Sequence, residues 1–344
     1  MDLGKLLKWS KAEHNHLPWR KKRSVYRTLV SEIMLQQTTV STVLNHFERF
    51  IKTYPNVEAL ANTTEEEICM AWKGLGYYRR ARNLRLAAID IAKNNSKVPT
   101  KFEDLKEIHG IGDYTANALI SIGRNKPALA LDANLERVIS RLYAVKEEKG
   151  PKLQKKIQKL FEDGFIFPHL EKAGPRAVNE ALMDLGRVYC QAKKTECLLC
   201  PLSDSCKAYQ YDEVDKYPVV KTVAKESFDL DVVRFVVKKG RKVLAYQKKN
   251  DEWLSGQLEV PTYVLNTNDK KLKQYPKLSK KLKTDKLKKF KTAITKYKIT
   301  NYICELSVDE FEKLVGKKKK YSFVTNNLEK ENFSTATIKT FSKI

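Results

Sequence analysis

The sequence has no long apolar run. No stretch of its 344 residues is apolar over the ~20 positions that a membrane-spanning helix needs. The opening residues, Met-Asp-Leu-Gly-Lys, lack the apolar core and the cleavage site of a secretory signal peptide. We therefore expect a cytoplasmic protein that does not bind a membrane.

Acidic residues are scarce. The chain has 41 Asp and Glu against 66 Lys and Arg, a formal net charge of +25. Hydrophobic residues make up 42% and charged residues 31%, which is typical of a folded protein and not of a disordered tail. An excess of positive charge suits a polyanion held through its phosphates, but a solvated Lys-rich surface explains the charge equally well.

Cysteine is also rare, and its placement is uneven. Cys69 and Cys304 stand alone, and the other four lie close together with six, two and five residues between them: Cys190, Cys197, Cys200 and Cys206. One tight cluster in an intracellular chain indicates a metal site and not a disulfide framework. Four thiolates at this spacing can hold either a zinc ion or an iron–sulfur cluster, and the residue types alone leave both open.

The pattern of apolar residues changes near residue 211. Residues 1–210 have apolar positions at helical spacing. Residues 211–226 are polar and read as a linker. Strand-like runs follow at residues 232–237, 242–246, 258–265 and 297–306, and the first two flank Lys-Lys-Gly-Arg at 238–241, which predicts a β-hairpin at Gly240. We predict a mostly helical region followed by an α+β domain over residues 227–344.

Two carboxylates are candidates for acid–base chemistry. Cleaving a sugar–base bond needs a proton for the departing base and a negative group beside the cationic sugar. Glu32 lies among apolar residues, so burial would favour its protonated form, although an exposed Glu on an amphipathic helix is the simpler interpretation. Asp132 precedes a helical run. A helix N-cap explains it, and capping would hold the carboxylate ionised.

A glycine pair marks a candidate phosphate site. Gly110 and Gly112 separate the end of one predicted helix from the start of another. Glycine permits a tight turn and a close approach of the backbone to a ligand, and free N–H groups at a helix start favour an anion. An ordinary turn between helices has the same pattern, so the pair is weak by itself.

Several motifs together resemble one family. Leu-Pro-Trp-Arg at 17–20, Ser-Glu-Ile-Met-Leu-Gln-Gln-Thr at 31–38, the segment 74–84 and the cysteine spacing resemble the endonuclease III/MutY family of DNA glycosylases, and within it the MutY adenine-specific branch. The resemblance covers about residues 5–210. It implies a helix-hairpin-helix glycosylase fold, with the following divisions: a six-helix barrel at 24–128, a [4Fe–4S] cluster domain formed by 1–23 and 129–210, a linker at 211–226, and a Nudix, MutT-like domain at 227–344.

The resemblance also implies roles for individual residues. Glu32 would protonate the adenine and later activate water, and Asp132 would stabilise the cationic sugar or its covalent adduct. Further roles would fall to pairs of residues: Tyr114 and Asn134 supporting the carboxylates, Gln37 and Tyr77 wedging into the duplex, Arg20 and Glu180 lining the adenine pocket, and Gly110 and Gly112 gripping phosphate. The four clustered cysteines would hold the [4Fe–4S] cluster. The family usually has glycine where this chain has Ala133.

The implied substrate is double-stranded DNA that contains adenine opposite 8-oxoguanine or guanine, bound by a monomer. Tyr114 stands where bifunctional relatives have a lysine, and because tyrosine forms no Schiff base, base removal without strand cleavage is expected. Two alternatives remain. One is a thymine–guanine mismatch glycosylase, and the other is a non-catalytic iron–sulfur protein that binds mismatches.

The C-terminal domain resembles the MutT fold at residues 253–261 but lacks the acidic cluster that binds metal in Nudix hydrolases, so no nucleotide hydrolysis is expected. By resemblance this domain would read 8-oxoguanine. The family often has Phe-Ser-His at the contact, and Ile294-Thr295-Lys296 aligns there. The Thr295 hydroxyl is the candidate donor to the lesion.

Overall fold

Apolar residues that recur every three or four positions place the first part of the chain in helices. The computed structural model describes residues 3–221, 226–249, 251–316, 318 and 320–344. The chain divides into two units, Met1–Ile68 with Gly74–Thr222, and Cys69–Lys73 with Val223–Ile344. Some positions of the predicted divisions lie outside the described residues: 1–2, 222–225, 250, 317 and 319.

The helices before residue 222 are α1 (Leu3–His14), α2 (Pro18–Lys21), α3 (Val25–Leu35), α4 (Val40–Thr53), α5 (Val57–Ala61), α6 (Glu65–Ala71), α7 (Arg79–Lys93), α8 (Phe102–Lys106), α9 (Asp113–Ala118), α10 (Ala133–Leu142), α11 (Pro151–Glu162), α12 (Phe167–Ala173), α13 (Pro175–Val188) and α14 (Lys207–Gln210). A π-helical turn, Leu119–Gly123, continues α9. Short 3₁₀ turns lie at Cys197–Leu199, Ser203–Ser205 and Val214–Lys216.

Helix α3 is buried on nearly all of its surface. It begins at the cap Ser24, whose hydroxyl accepts a hydrogen bond from the Arg27 amide at 3.0 Å. Leu29, Val30, Ile33 and Met34 on this helix are all buried, as their spacing predicted. A helix that is buried all round forces any polar residue on it into a site of low polarity.

The helices α1, α10, α11, α12 and α13 share one hydrophobic core. It contains Leu6 from the first helix, Val138 and Ile157 from the middle ones, and Leu182 from α13. The core thus joins residues 3–6 to residues 129–202, two segments that the sequence assigned to one domain. That assignment, and the barrel boundary at 24–128, stay predictions.

The predicted linker at residues 211–226 stays a prediction, and part of that segment is hydrogen-bonded to the first unit. Val219 accepts a hydrogen bond from the Lys149 amide at 2.9 Å and donates one to the Glu147 carbonyl at 3.0 Å. Arg141 Nε donates to the Tyr217 carbonyl at 2.9 Å. Residues 214–219 are therefore held to the first unit, because their backbone groups have partners there and not in water.

Among the residues that the structure describes, the second unit is built on a mixed sheet of seven strands: β1 (Phe228–Lys239), β2 (Lys242–Gln247), β3 (Leu258–Glu259), β4 (Thr262–Thr267), β5 (Lys289–Ile294), β6 (Tyr297–Leu306) and β7 (Ser322–Thr325). The main order is β3-β2-β1-β6-β5, with β4 beside β1 and β7 beside β2. The hairpin predicted around Gly240 is confirmed, since β1 and β2 pair antiparallel there. Strands β1 and β6 pair in parallel.

Two helices complete this unit, α15 (Val308–Val315) and α16 (Thr335–Phe341). Phe311 of α15 packs with Phe235 and Tyr263 in one core. Ile338 and Phe341 of α16 pack against a second core that includes Phe333. The structure shows an α/β sheet region, and its kinship with the Nudix fold stays a proposal. None of the described helices is long and apolar enough to cross a membrane.

Candidate active site

A cavity of about 980 Å³ opens between the helices of the first unit. Loops and ends of α2, α3, α9, α10 and α13 surround it. Seven residues that the sequence singled out line it: Arg20, Glu32, Gln37, Tyr114, Asp132, Asn134 and Glu180. Their positions span about 160 residues of sequence, so only the packing of the helices brings them together.

Glu32 is a buried acid on α3 with 6% of its surface exposed. Burial raises the pKa of Glu32 to about 7, and the nearby Asp132 and Glu180 charges act in the same direction. The Tyr114 hydroxyl donates a short hydrogen bond to Glu32 Oε2, which lowers the pKa in part. Glu32 is therefore poised to exchange a proton near neutral pH.

Asp132 is the N-cap of α10. Its carboxylate accepts hydrogen bonds from the amides of Asn134 at 2.9 Å and Leu135 at 2.8 Å, and from Asn134 Nδ2 at 2.8 Å. Burial nevertheless raises the pKa of Asp132 above its usual range, and these hydrogen bonds only oppose the rise. The sequence predicted the cap, but capping alone suggested a shift in the other direction, because burial cannot be judged from the sequence.

Three donors bond to Asp132 and one bonds to Glu32. Donors stabilise a carboxylate in its ionised form. When the two acids hold one proton between them, Glu32 is therefore the protonated acid and Asp132 the ionised one. Ala133 is the first residue of α10 and is not among the residues with left-handed backbone, so the usual glycine is not needed there.

One wall of the cavity is a network of charges. Arg20 Nη1 and Nη2 donate to Asp184 Oδ2 and Oδ1 at 2.8 and 3.2 Å, and Ser10 Oγ donates to the same carboxylate at 2.7 Å. Arg23 bonds both oxygens of Glu180 at 2.6 and 3.0 Å. The sequence indicated Arg20 and Glu180 but missed Asp184, Arg23 and Ser10, which have no motif of their own. The arginines are occupied by these acids and do not bond to Glu32.

The two predicted wedge residues have unusual backbone conformations. Gln37 has φ 55° and Tyr77 has φ 49°, in the left-handed region that side chains rarely adopt. Tyr77 is 60% exposed, which is high for a large aromatic residue. Gln37 lines the cavity, and Tyr77 is not among its lining residues.

The glycine hairpin lies between α8 and α9. Gly110 has φ +73°, and a Cβ there would stand 2.7 Å from Asn83 Cβ of α7, so only glycine fits. Gly112 has ordinary extended backbone and open space beside it. The His109 amide and Nδ1 both contact Asp90 Oδ2, at 3.2 and 2.7 Å. The turn is thereby hydrogen-bonded to α7 at His109 and packed closely against it at Gly110.

The four clustered cysteines line one small cavity together with Arg141 and Tyr189. All four thiols are free. Arg141 Nη1 donates to Cys190 Sγ at 3.2 Å, and Arg137 Nε donates to the Cys190 carbonyl at 2.6 Å. Within the residues that the structure describes, no three Cys, His, Asp or Glu side chains are grouped for a metal ion. Both arginines lie on α10, whose N-cap is Asp132.

Thr295 lies in the second unit, at the turn between β5 and β6. Its φ is 50°, so the turn presents a β-branched residue in left-handed backbone, and its side chain is exposed. The Lys296 ammonium stands 4.5 Å from the centre of the Phe228 ring. The Phe228 ring stacks on Tyr297.

Residues 30–163 match the model of the HhH-GPD superfamily of base excision DNA repair proteins. An adenine DNA glycosylase of Buchnera aphidicola subsp. Schizaphis graminum is 35% identical over 82% of this chain and 76% of its own length. The human adenine DNA glycosylase is 33% identical over 62% of this chain and 40% of its own length. The enzyme of Arabidopsis thaliana is 29% identical over 76% of this chain and 47% of its own length.

Solved structures of other DNA glycosylases are also similar to the chain. A thermostable thymine-DNA glycosylase has a TM-score of 0.50 and 27% identity, covering 60% of this chain and 94% of its own. A non-covalent endonuclease III–DNA complex has the same TM-score at 24% identity, covering 61% of this chain and 94% of its own, and shows the fold alone.

Proposed function

This chain belongs to the adenine DNA glycosylases within the HhH-GPD superfamily of base excision DNA repair proteins, and on that basis we propose that its cavity takes up an adenine extruded from the duplex. It is a DNA glycosylase, and its partner is DNA. The base opposite the adenine is 8-oxoguanine or guanine in this proposal. Extrusion is required because the bond to be broken is otherwise inaccessible within the stacked duplex.

The proposed chemistry divides between two acids. Protonated Glu32 donates its proton to the adenine ring as the bond to the sugar breaks, and the resulting carboxylate then takes a proton from the attacking water. Asp132, held by three donors, offers negative charge to the cationic sugar. The single observation that supports this scheme most strongly is that both acids line one cavity and that Asp132 accepts three hydrogen bonds there where Glu32 accepts one.

The other site residues bind and position the DNA. Arg20 and Glu180 contact the adenine as part of the charged wall, and Gln37 and Tyr77 fill the space that the base leaves. Gly110 and Gly112 let the backbone of the hairpin approach a phosphate. Tyr114 holds Glu32 and forms no covalent bond to the sugar, so the proposed enzyme removes the base without cutting the strand.

The cysteine loop is the proposed site of a [4Fe–4S] cluster. Four free thiols line one cavity, and two arginines beside them offset the negative charge of thiolate ligands. The bound cluster would cross-link the loop and so hold its exposed Lys193 toward DNA. A visible absorption band with iron and sulfide in equal amounts supports the cluster, and stoichiometric zinc contradicts it.

The second unit is proposed to distinguish 8-oxoguanine from guanine through Thr295. Thr295 is exposed and lies in the turn beyond the last pair of residues that joins β5 to β6, so its side chain faces no neighbouring strand. Thr295→Ala should reduce the ratio of excision rates on 8-oxoguanine:adenine and guanine:adenine duplexes. Ser342→Ala, which removes an exposed hydroxyl at the end of α16, is the matched control and should leave the ratio unchanged.

Single-turnover excision assays on three duplexes test the function. We expect adenine release from 8-oxoguanine:adenine and guanine:adenine duplexes, and little thymine release from guanine:thymine. Because the chain is also similar to a thymine-DNA glycosylase, thymine release is the main competing activity, and the third duplex tests it. Faster thymine release would overturn the assignment, and binding without release of any base would indicate a non-catalytic mismatch-binding protein.

A further inference from the structure

Arg80 is in the first turn of α7, directly after the loop that contains Tyr77. Its guanidinium donates to two separate sets of oxygens. Nη1 bonds the carbonyls of Ile33 at 2.9 Å, Met34 at 2.9 Å and Gln36. Nη2 bonds Thr38 Oγ1 at 2.9 Å and the carbonyls of Leu75 at 3.0 Å and Gly76 at 3.1 Å.

The first set of oxygens belongs to the end of α3. The last carbonyls of a helix have no partner within it, and a cation there is favoured by the helix dipole. Arg80 supplies both the hydrogen bonds and the positive charge. Because Glu32 lies in the last turn of the same helix, Arg80 also fixes the end of the element that positions the acid.

The second set ties the two loops to each other. One loop contains Gln37 and the other contains Tyr77, and each of these residues has left-handed backbone. Such a conformation persists only where surrounding contacts impose it. The Arg80 guanidinium bonds Gln36 and Thr38 on either side of Gln37, and it bonds Gly76 next to Tyr77. It also lies 5.5 Å from the centre of the Tyr77 ring.

We propose that Arg80 is a positioning residue that couples these two loops, so that Gln37 and Tyr77 enter the duplex as one rigid unit. This inference rests on the proposed function, because it takes both residues as the groups that replace the extruded adenine. A planar guanidinium with fixed donors spans both loops at once, and a lysine ammonium does not. Geometry, and not charge alone, is therefore the property that matters.

Coupling is measurable as a failure of additivity. In the otherwise unchanged enzyme, Gln37→Ala and Tyr77→Ala should each slow extrusion of the base, and the double variant should be little slower than either single one. With Arg80→Gln as the background, the two effects should become independent and multiply. Extrusion is followed by the fluorescence of 2-aminopurine beside the target adenine, and excision by single-turnover rates at saturating enzyme. Groups that act through one network usually couple by about tenfold.

Two further variants separate positioning from charge and from folding. Arg80→Lys keeps the charge and should still slow extrusion by about tenfold, with DNA affinity changed much less. Arg82→Gln is the matched control, since Arg82 lies on the same helix and bonds Glu65 at 2.6 Å; it should leave extrusion unchanged. If Arg80→Gln melts at a much lower temperature, Thr38→Val replaces it and should reduce the coupling, because it removes the hydroxyl that accepts from Arg80 and that also donates weakly, at 3.4–3.5 Å, to the Gln36 and Leu75 carbonyls.

Full activity of Arg80→Lys, or independent effects of Gln37→Ala and Tyr77→Ala in the unchanged enzyme, would overturn the proposal. A loss of extrusion in Arg82→Gln equal to that in Arg80→Gln would do the same. Failure of the proposed function has a different signature, because the unchanged enzyme would then release no adenine before any variant is compared.

Discussion

Two buried glutamates, one in each unit, have the same side chain and opposite chemistry. Glu32 is 6% exposed and accepts a hydrogen bond from the neutral Tyr114 hydroxyl. Glu259 is fully buried and accepts from Arg234 and Lys248 at 2.8 Å each, and from Tyr275 at 3.2 Å. Burial raises the pKa of Glu32 to about 7. Burial acts on Glu259 too, but the two cations outweigh it and hold the pKa of Glu259 below its usual range.

Burial is common to both acids, so the cations that bond to the carboxylate decide whether its pKa is raised or lowered. Near Glu32, the arginines of the cavity wall bond Asp184 and Glu180 instead. A buried acid that no cation hydrogen-bonds is costly to ionise, even with the Arg20 charge nearby, and such a group persists where its proton is used. A buried acid between two cations is permanently ionised and is part of the architecture. Four predictions test this contrast, from the largest expected effect to the smallest.

Glu32→Gln should reduce adenine excision by about 10⁴-fold, the upper range for general acid–base catalysis, because the amide keeps the shape and has no proton to transfer. Single-turnover rates at saturating enzyme measure it. Glu162→Gln on the exposed side of α11 is the control and should be fully active. A loss of less than about tenfold would mean that the raised pKa serves no proton transfer.

Glu259→Gln should lower the free energy of unfolding of the second unit by about 3–5 kcal/mol, since it leaves Arg234 and Lys248 buried without a counter-charge. The free energy is measured by unfolding the full chain in denaturant and using proteolytic cleavage within residues 227–344 to report how much of the second unit is unfolded. Glu32→Gln should not lower stability in this way, because no cation depends on Glu32. Equal destabilisation by both variants would contradict the contrast.

The two acids should also give opposite dependences of stability on pH. The folded-state pKa of Glu32 is raised, so its contribution is fully present below about pH 4.5 and is lost as pH rises through about 7. From these two pKa values, the free energy of unfolding falls by about 3 kcal/mol over this range. Glu32→Gln should therefore flatten the dependence of stability on pH between about 4.5 and 7.

The pKa of Glu259 is lowered, so its contribution is present at neutral pH and is lost as the solution becomes acidic. Melting temperatures across this pH range, for the unchanged chain and for both variants, test the signs.

Tyr114→Phe should move the alkaline limb of the rate–pH profile upward by about one pH unit. The Tyr114 hydroxyl lowers the pKa of Glu32, so its removal raises that pKa further; a hydrogen bond to a charged group contributes ~1.5–3 kcal/mol. Tyr143→Phe, whose hydroxyl bonds the Phe165 carbonyl at 3.1 Å, is the control. A limb that moves toward acid would show that the hydroxyl does not stabilise the carboxylate.

Much of the fold was predictable because it depends on local patterns. The spacing of Leu29, Ile33 and Met34 predicted α3, and the apolar runs on either side of the Gly240 turn predicted the β1–β2 hairpin. The linker at residues 211–226 was predicted from polarity alone and stays a prediction, but polarity gave no sign that residues 214–219 are hydrogen-bonded to the first unit. Polarity does not report whether backbone groups find partners on a neighbouring helix.

The candidate site was predicted where a residue lies in a motif and missed where it acts by contact. Glu32, Asp132 and Tyr114 stand in short segments with recognisable neighbours. Asp184, which bonds Arg20, and Arg80, which bonds two loops, sit on ordinary helices. Asp184 and Arg20 are 164 residues apart in sequence, and Arg80 and Ile33 are 47 residues apart; no local pattern records such pairings.

The sequence by itself determined which groups are available: two acids with a tyrosine between them in chain order, a glycine hairpin, four cysteines at fixed spacing, and a second unit made of strands. Only the tertiary structure decided how those groups behave. The pKa of Asp132 shifted against the direction that its cap suggested, because burial outweighed three hydrogen bonds. Whether an acid keeps or loses its proton depends on the water and the charges around it, and both are set by how the helices pack.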